Sequence, residues 1–142
     1  MSFQEKFRWV YMGVAVVTNL VYVAIILGRA QNTPITEVSY AWPMIGAIGV
    51  TIVATIAGSI LVAIVGFRAG ERRFEADERD ASIHRHGEAI GYAVLSVGLL
   101  GALGLTMAEA AHFWIGNAIY LTGVLVSLFS NGLKLAAYRR GF

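Results

Sequence analysis

Residues 68–88 read RAGERRFEADERDASIHRHGE, a charged island between two halves that are almost wholly apolar. The island holds five arginines (Arg68, Arg72, Arg73, Arg79, Arg85) and six acids (Glu71, Glu75, Asp77, Glu78, Asp80, Glu88). On either side charge disappears: residues 9–27, 42–67, 89–108 and 113–133 contain no Asp, Glu, Lys or Arg. Each run is about 20 residues or longer, and at about 1.5 Å per residue a helix of that length crosses the roughly 30 Å hydrocarbon core of a bilayer. Backbone groups in hydrocarbon must be satisfied within the segment unless a closed barrel forms, and barrel strands alternate in polarity as these runs do not. The chain is therefore expected to be all-α: a single integral membrane domain over residues 1–142, a four-helix transmembrane bundle with the lipid bilayer as its solvent.

Composition agrees. Hydrophobic residues make up 57% of the chain, charged residues 14%, and the mean hydropathy is +0.66. A soluble domain needs about 25% charged residues to cover its surface. The sequence pI near 9.2 invites a nucleic-acid reading. The island's own balance, five bases against six acids, argues against it, because both nucleic-acid patches and polybasic lipid switches need a clear positive excess.

The basic residues are instead placed by topology. The amino-terminal flank (Lys6, Arg8), the island and the carboxyl-terminal flank (Lys134, Arg139, Arg140) carry two, five and three of the 11 basic residues, leaving only Arg29 on the other side. Positive charge stays cytoplasmic, so both termini and the island are expected to face the cytoplasm of a cell membrane. A basic stretch before an apolar one also describes a secretory signal, with Gly28-Arg29-Ala30 as its cleavage site. The apolar run exceeds the 7 to 15 or so residues of such signals, and a retained anchor helix is expected.

Along the chain, helix 1 carries Asn19 near mid-membrane, beside Thr18 and one turn from Tyr22. Such polar groups tend to face the bundle, where they hydrogen-bond between helices. Residues 28–41 form the first outer loop, in which Thr33-Pro34 disfavours helix while Tyr40 and Trp42 suit the aromatic belt. Pro43 fits the first turn of helix 2. In helix 2, Gly46, Ala54, Gly58, Gly66 and Gly70 fall on one four-residue ridge and Ala47, Thr51, Thr55, Ser59 and Ala63 on the next. Small residues at that spacing admit another helix closely, from the same chain or from a second copy. Helix 3 sets Gly98, Gly101 and Gly104 three apart, and the short turn at 109–112 makes helices 3 and 4 antiparallel neighbours. Helix 4 begins with Phe113 and Trp114 at belt depth and carries Gly123, Ser127 and Asn131; Lys134 is placed to snorkel to the interface.

The island itself reads as a charged helical extension between helices 2 and 3. Glu75 and Arg79 have the favourable acid-first spacing, and Ala76, Ile83, Ile90 and Val97 recur every seven residues, carrying one apolar line into helix 3. Acids from Asp77 to Asp80 near its start suit the helix dipole.

Little points to catalysis. There is no phosphate loop, no H-E-x-x-H and no cysteine. His84 and His86 stand two apart, a spacing that does not bring side chains together on a helix, and no histidine lies within a membrane run to hold haem. No catalytic, cofactor or metal site is expected. For transport the candidates are Asn19, Asn117, Asn131 and Glu88, the one acid at the inner end of helix 3.

The run Asp77-Glu78-Arg79-Asp80, followed by Ile83 and a membrane helix with Tyr92, resembles the D-E-R-[DE]-x-x-I motif of a family of small, uncharacterised four-helix membrane proteins of bacteria and archaea. The resemblance covers about residues 68–105. It implies the same topology and places functional emphasis on Asp77, Glu78, Arg79 and Asp80. Two functions follow as expectations. One is a non-enzymatic membrane protein whose cytoplasmic island docks a protein partner or a second copy of itself, since alternating charges suit salt-sensitive protein contacts. The other is a small channel or transporter subunit with a path along Thr51, Thr55 and Ser59, aided by Asn19 and Glu88. Hydration separates them: a path needs polar groups at successive depths, whereas packing leaves a dry interior.

Overall fold

The computed structural model describes the backbone of residues 3–68 and 78–140 and side chains within residues 6–67 and 81–137. Among these residues there are four long helices and no strand: α1 (Phe3–Ala30), α2 (Ala41–Arg68), α3 (Glu78–Met107) and α4 (His112–Arg140), with a short 3-10 turn at Ile35–Glu37. All four are long and apolar enough to cross a membrane. Each is longer than the charge-free run that announced it. Charge marks where hydrocarbon ends, but helical hydrogen bonding continues through the headgroup zone, where Lys and Arg side chains reach water. α3 departs furthest from its run, starting at Glu78 rather than near Ala89, so residues 78–88 of the charged island and the third membrane helix are one continuous helix.

The helices pack chiefly in the order α2–α1–α4–α3, each antiparallel to the next. Glycines set the α3–α4 register: Gly87 lies against Lys134, Gly91 against Ser130 and Gly98 against Thr122, each step along one helix matched by a return step along the other. Of the three-spaced glycines, only Gly98 meets a helix; Gly101 and Gly104 open onto free space. Among the small residues of α2 the covered positions are Ala47, Thr51, Ala54, Thr55, Gly58, Ser59 and Gly66, and Gly58 lies against Val10 of α1. The small face of helix 2 is thus used within the chain. Gly46 and Ala63, assigned to the same ridges, face outward instead. The rest of α2 presents Ile45, Ile48, Ile52, Val53, Ile56, Ile60, Leu61 and Ile64. That outer surface matches lipid tails, which are as apolar as the side chains themselves.

The bundle has two ends. At the basic end α1 and α3 begin and α2 and α4 finish; the loop end carries residues 31–40 and 108–111. The loop end contains the principal apolar cluster, Tyr22, Ile26, Val38, Ala47 and Phe113, with Tyr40, Met44 and Tyr120 packed around it. Val38 belongs to the loop yet is buried, so residues 31–40 fold over the bundle rather than away from it. The Arg29 guanidinium donates to the Ser39 carbonyl over 2.7 Å and holds the loop back onto α1. Tyr40 covers Gly116, stands edge-on to Phe113 at 5.5 Å, and donates its hydroxyl proton to the His112 carbonyl over 3.1 Å. Of the residues expected in the aromatic belt, Trp42 and Trp114 are exposed, whereas Tyr40 and Phe113 turn inward and pair with each other. An edge-to-face pair adds about 0.5–1.5 kcal/mol beyond the area it buries.

The α3–α4 turn closes by backbone geometry alone. The Ala110 amide donates to the Leu105 carbonyl over 3.0 Å and the Glu109 amide to the Thr106 carbonyl over 3.1 Å. This pair of bonds is a Schellman cap, which demands a left-handed residue at its penultimate position, and Glu109 supplies it at φ 53°.

Candidate functional site

The two groups of residues singled out from the sequence have different fates. Asp77, with Arg73, Glu75 and Ala76, lies outside the described residues. Glu78, Arg79 and Asp80 form the first turn of α3, and only their backbone is described. Starting a helix with acids is electrostatically favourable, because the unpaired amides of the first turn carry partial positive charge.

The intramembrane set does not converge. Asn19 donates through Nδ2 to the Ala15 carbonyl of its own helix over 2.7 Å, not to another helix. Thr51 Oγ1 donates to the Ala47 carbonyl over 2.8 Å and Ser59 Oγ to the Ile56 carbonyl over 2.7 Å. Thr55 Oγ1 is enclosed without a hydrogen-bond partner. Of these hydroxyls, those of Thr51 and Ser59 are thus satisfied by carbonyls of the preceding turn of their own helix, and only that of Thr55 is left without a bond. Glu88, the fifth member, is at the basic end on a different helix, far from the other four in the packing order.

Polar side chains meet across helices elsewhere, along the α1–α4 seam. Near the loop end the Tyr22 hydroxyl donates to Asn117 Oδ1 over 2.6 Å, with Tyr120 tilted against Tyr22 at 4.8 Å. Further toward the basic end Ser127 Oγ donates to the Tyr11 hydroxyl over 2.9 Å. Ala15, 3% exposed, lies on α1 between these two bonds. The seam is therefore polar at two depths with an apolar step between them.

At the basic end three helices bring ionisable groups together. Arg8 of α1 and Lys134 of α4 are 6% and 7% exposed, so both are more than nine-tenths buried. Lys134 bends over α3, its stem lying in the space left by the missing side chain of Gly87. A Cβ at Gly87 would stand 2.5 Å from Lys134 Cε. The lysine Nζ reaches 3.4 Å from His84 Nδ1, and His84 Nδ1 in turn lies 3.0 Å from Glu88 Oε1 one turn along α3. Lys134 is also within electrostatic range of Arg8 and Glu88. Burying an ammonium costs several kcal/mol unless acceptors and a counter-charge surround it; His84 Nδ1 is an acceptor within reach and Glu88 a counter-charge.

Arg8, His84 and Lys134 were not among the residues selected from the sequence, although a signal existed. Arg8, Tyr11, Ala15 and Tyr22 share one stripe of α1, and Asn117, Ser127, Asn131 and Lys134 one stripe of α4. Polar residues at three- and four-residue spacing on two helices indicate a shared seam. No protein-family model, curated protein or solved structure matches this chain, so the assignment of the site rests on this geometry.

Proposed function

We propose that the chain is a non-enzymatic assembly subunit of the cell membrane, with both termini in the cytoplasm, that engages a cytoplasmic protein through segment 68–88. The observation that carries this reading is the length of α3. As one helix from Glu78 to Met107 it spans 30 residues, about 45 Å at the usual helical rise, against a hydrocarbon core of roughly 30 Å. Its first turns, with the Glu78-Arg79-Asp80 part of the motif, thus project beyond the hydrocarbon on a stiff support that is continuous with the bundle. Charges held on such a support engage a complementary surface at a smaller entropic cost than charges on a free loop.

The transporter alternative gains nothing from helix 2. Thr51 and Ser59 are tied to their own backbone, Asn19 likewise, and the opposite face of α2 is aliphatic. These are the marks of packing rather than of a hydrated path. The test is crosslinking mass spectrometry on native membranes, comparing the wild-type chain with an Asp77→Ala, Arg79→Ala double variant of equal abundance. A defined cytoplasmic partner that is lost in the variant is the expected result. Identical crosslinks in both forms, or none, would refute docking through the motif.

A further inference from the structure

His84 Nδ1 faces two groups that need opposite things of it. Toward Glu88 Oε1, at 3.0 Å, the nitrogen can contribute only as an N–H donor, because the carboxylate is an acceptor. Toward the Lys134 ammonium, at 3.4 Å, it can contribute only as a lone-pair acceptor, because the ammonium has no acceptor site. One ring nitrogen cannot do both at once. The two contacts also differ in reach: Glu88 is on the histidine's own helix, four residues on, while Lys134 belongs to α4. The proton therefore chooses between a bond within α3 and a bond between α3 and α4.

We propose that His84 Nδ1 is a proton-binding site that ties α3 to α4 when empty and releases them when filled. In the neutral ring the proton sits on Nε2, Nδ1 keeps its lone pair, and Lys134 Nζ donates to it across the helix interface. When a proton from solvent binds Nδ1, the ring becomes a cation with donors on both nitrogens. Nδ1–H then donates to the Glu88 carboxylate, and Lys134 loses its acceptor and faces a like charge. The groups facing this nitrogen are Glu88 on its own helix and Lys134 from α4, with Arg8 of α1 in electrostatic range of Lys134.

Three further observations support the site. The His84 and Glu88 side chains are 52% and 48% exposed, so protons reach them without any opening, while the lysine they hold is 7% exposed. Histidine is the side chain whose ordinary titration falls within the physiological range, so a small change in local acidity acts on it. Gly87, between His84 and Glu88, leaves the space through which the Lys134 stem crosses α3. The switch lies in the stretch of α3 that joins the membrane run to the charged first turns, and it works whether or not those turns dock a partner.

The test uses the full chain in lipid nanodiscs. Because the chain has no cysteine, single spin labels can be placed at Ala81→Cys on α3 and Ala136→Cys on α4, both exposed positions. Nitrogen-15 NMR of histidine-labelled protein reports the state of Nδ1, with His84→Gln identifying its signals among those of the three histidines. On acidification, Nδ1 of His84 is expected to pass from unprotonated to protonated while the α3–α4 distance distribution loses its short component. His84→Gln and Lys134→Met are each expected to abolish the pH dependence. The wild-type titration is decisive even if a variant fails to fold. A proton on Nδ1 in the neutral ring at the alkaline end, or a distance distribution unchanged across the range, would overturn the proposal. So would a pH response preserved in His84→Gln.

Discussion

The Tyr22 hydroxyl donates to Asn117 Oδ1 over 2.6 Å, joining α1 to α4 between residues 95 positions apart in sequence. Asn117 is itself oriented by its amide, which donates to the Phe113 carbonyl over 2.8 Å, so its carbonyl oxygen is left pointing at α1. Tyr22→Phe keeps the ring packed against Tyr120 and removes only the proton donor. A loss of about 0.6–2 kcal/mol is expected, in the range measured for hydrogen bonds between membrane helices. Thermal unfolding in detergent of Tyr22→Phe, Asn117→Ala and the double variant checks it. Equal sums for the singles and the double would mean that the bond contributes nothing.

Gly98 and Gly101 should respond to alanine with opposite signs. An added Cβ at Gly98 meets the Thr122 side chain, which is buried and held by its own bond to the Ala118 carbonyl at 2.7 Å. Overpacking of this kind costs about 1–3 kcal/mol, more than the ~1 kcal/mol that alanine gains over glycine in a helix. At Gly101 nothing lies within 4 Å, so the helical gain stands alone. Gly98→Ala should lower the melting temperature and Gly101→Ala should raise it or leave it unchanged. Loss of stability in both would show that the α3–α4 register is not as described.

Glu109 is a glycine position occupied by an acid. With φ at 53° its side chain adds strain that glycine would not, on the order of 1 kcal/mol. Glu109→Gly is expected to stabilise the protein by about that amount, and Glu109→Val to destabilise it, since a β-branched residue resists the left-handed region. Melting curves of the two variants decide the point.

Sidedness can be read with the same cysteine-free chain. With the island cytoplasmic, a cysteine at Gln31 should react with a membrane-impermeant maleimide in intact cells, and one at Ser82 only after the membrane is opened. Both positions are exposed, so burial does not confound the comparison. The reverse pattern would invert the topology and place segment 68–88 outside.

Much of the fold was legible because its cause is local. A run of some 20 residues without charge must hydrogen-bond its own backbone in lipid, so the four helices and the antiparallel α3–α4 pair followed from residues 9–27, 42–67, 89–108 and 113–133 alone. The continuation of α3 back into residues 78–88 of the island was also readable, in the seven-residue line through Ile83, Ile90 and Val97. What the chain could not reveal by itself is which polar groups meet. Asn19, Thr51 and Ser59 look like partners for other helices and are satisfied within their own, whereas Tyr22, Ser127, His84 and Lys134 make the contacts between helices. The reason is physical: in a bilayer, hydropathy is nearly blind to whether a face meets lipid or another helix. Helix order and rotation are decided by close packing at sites such as Gly58, Gly87 and Gly98, and only the assembled bundle brings those contacts together.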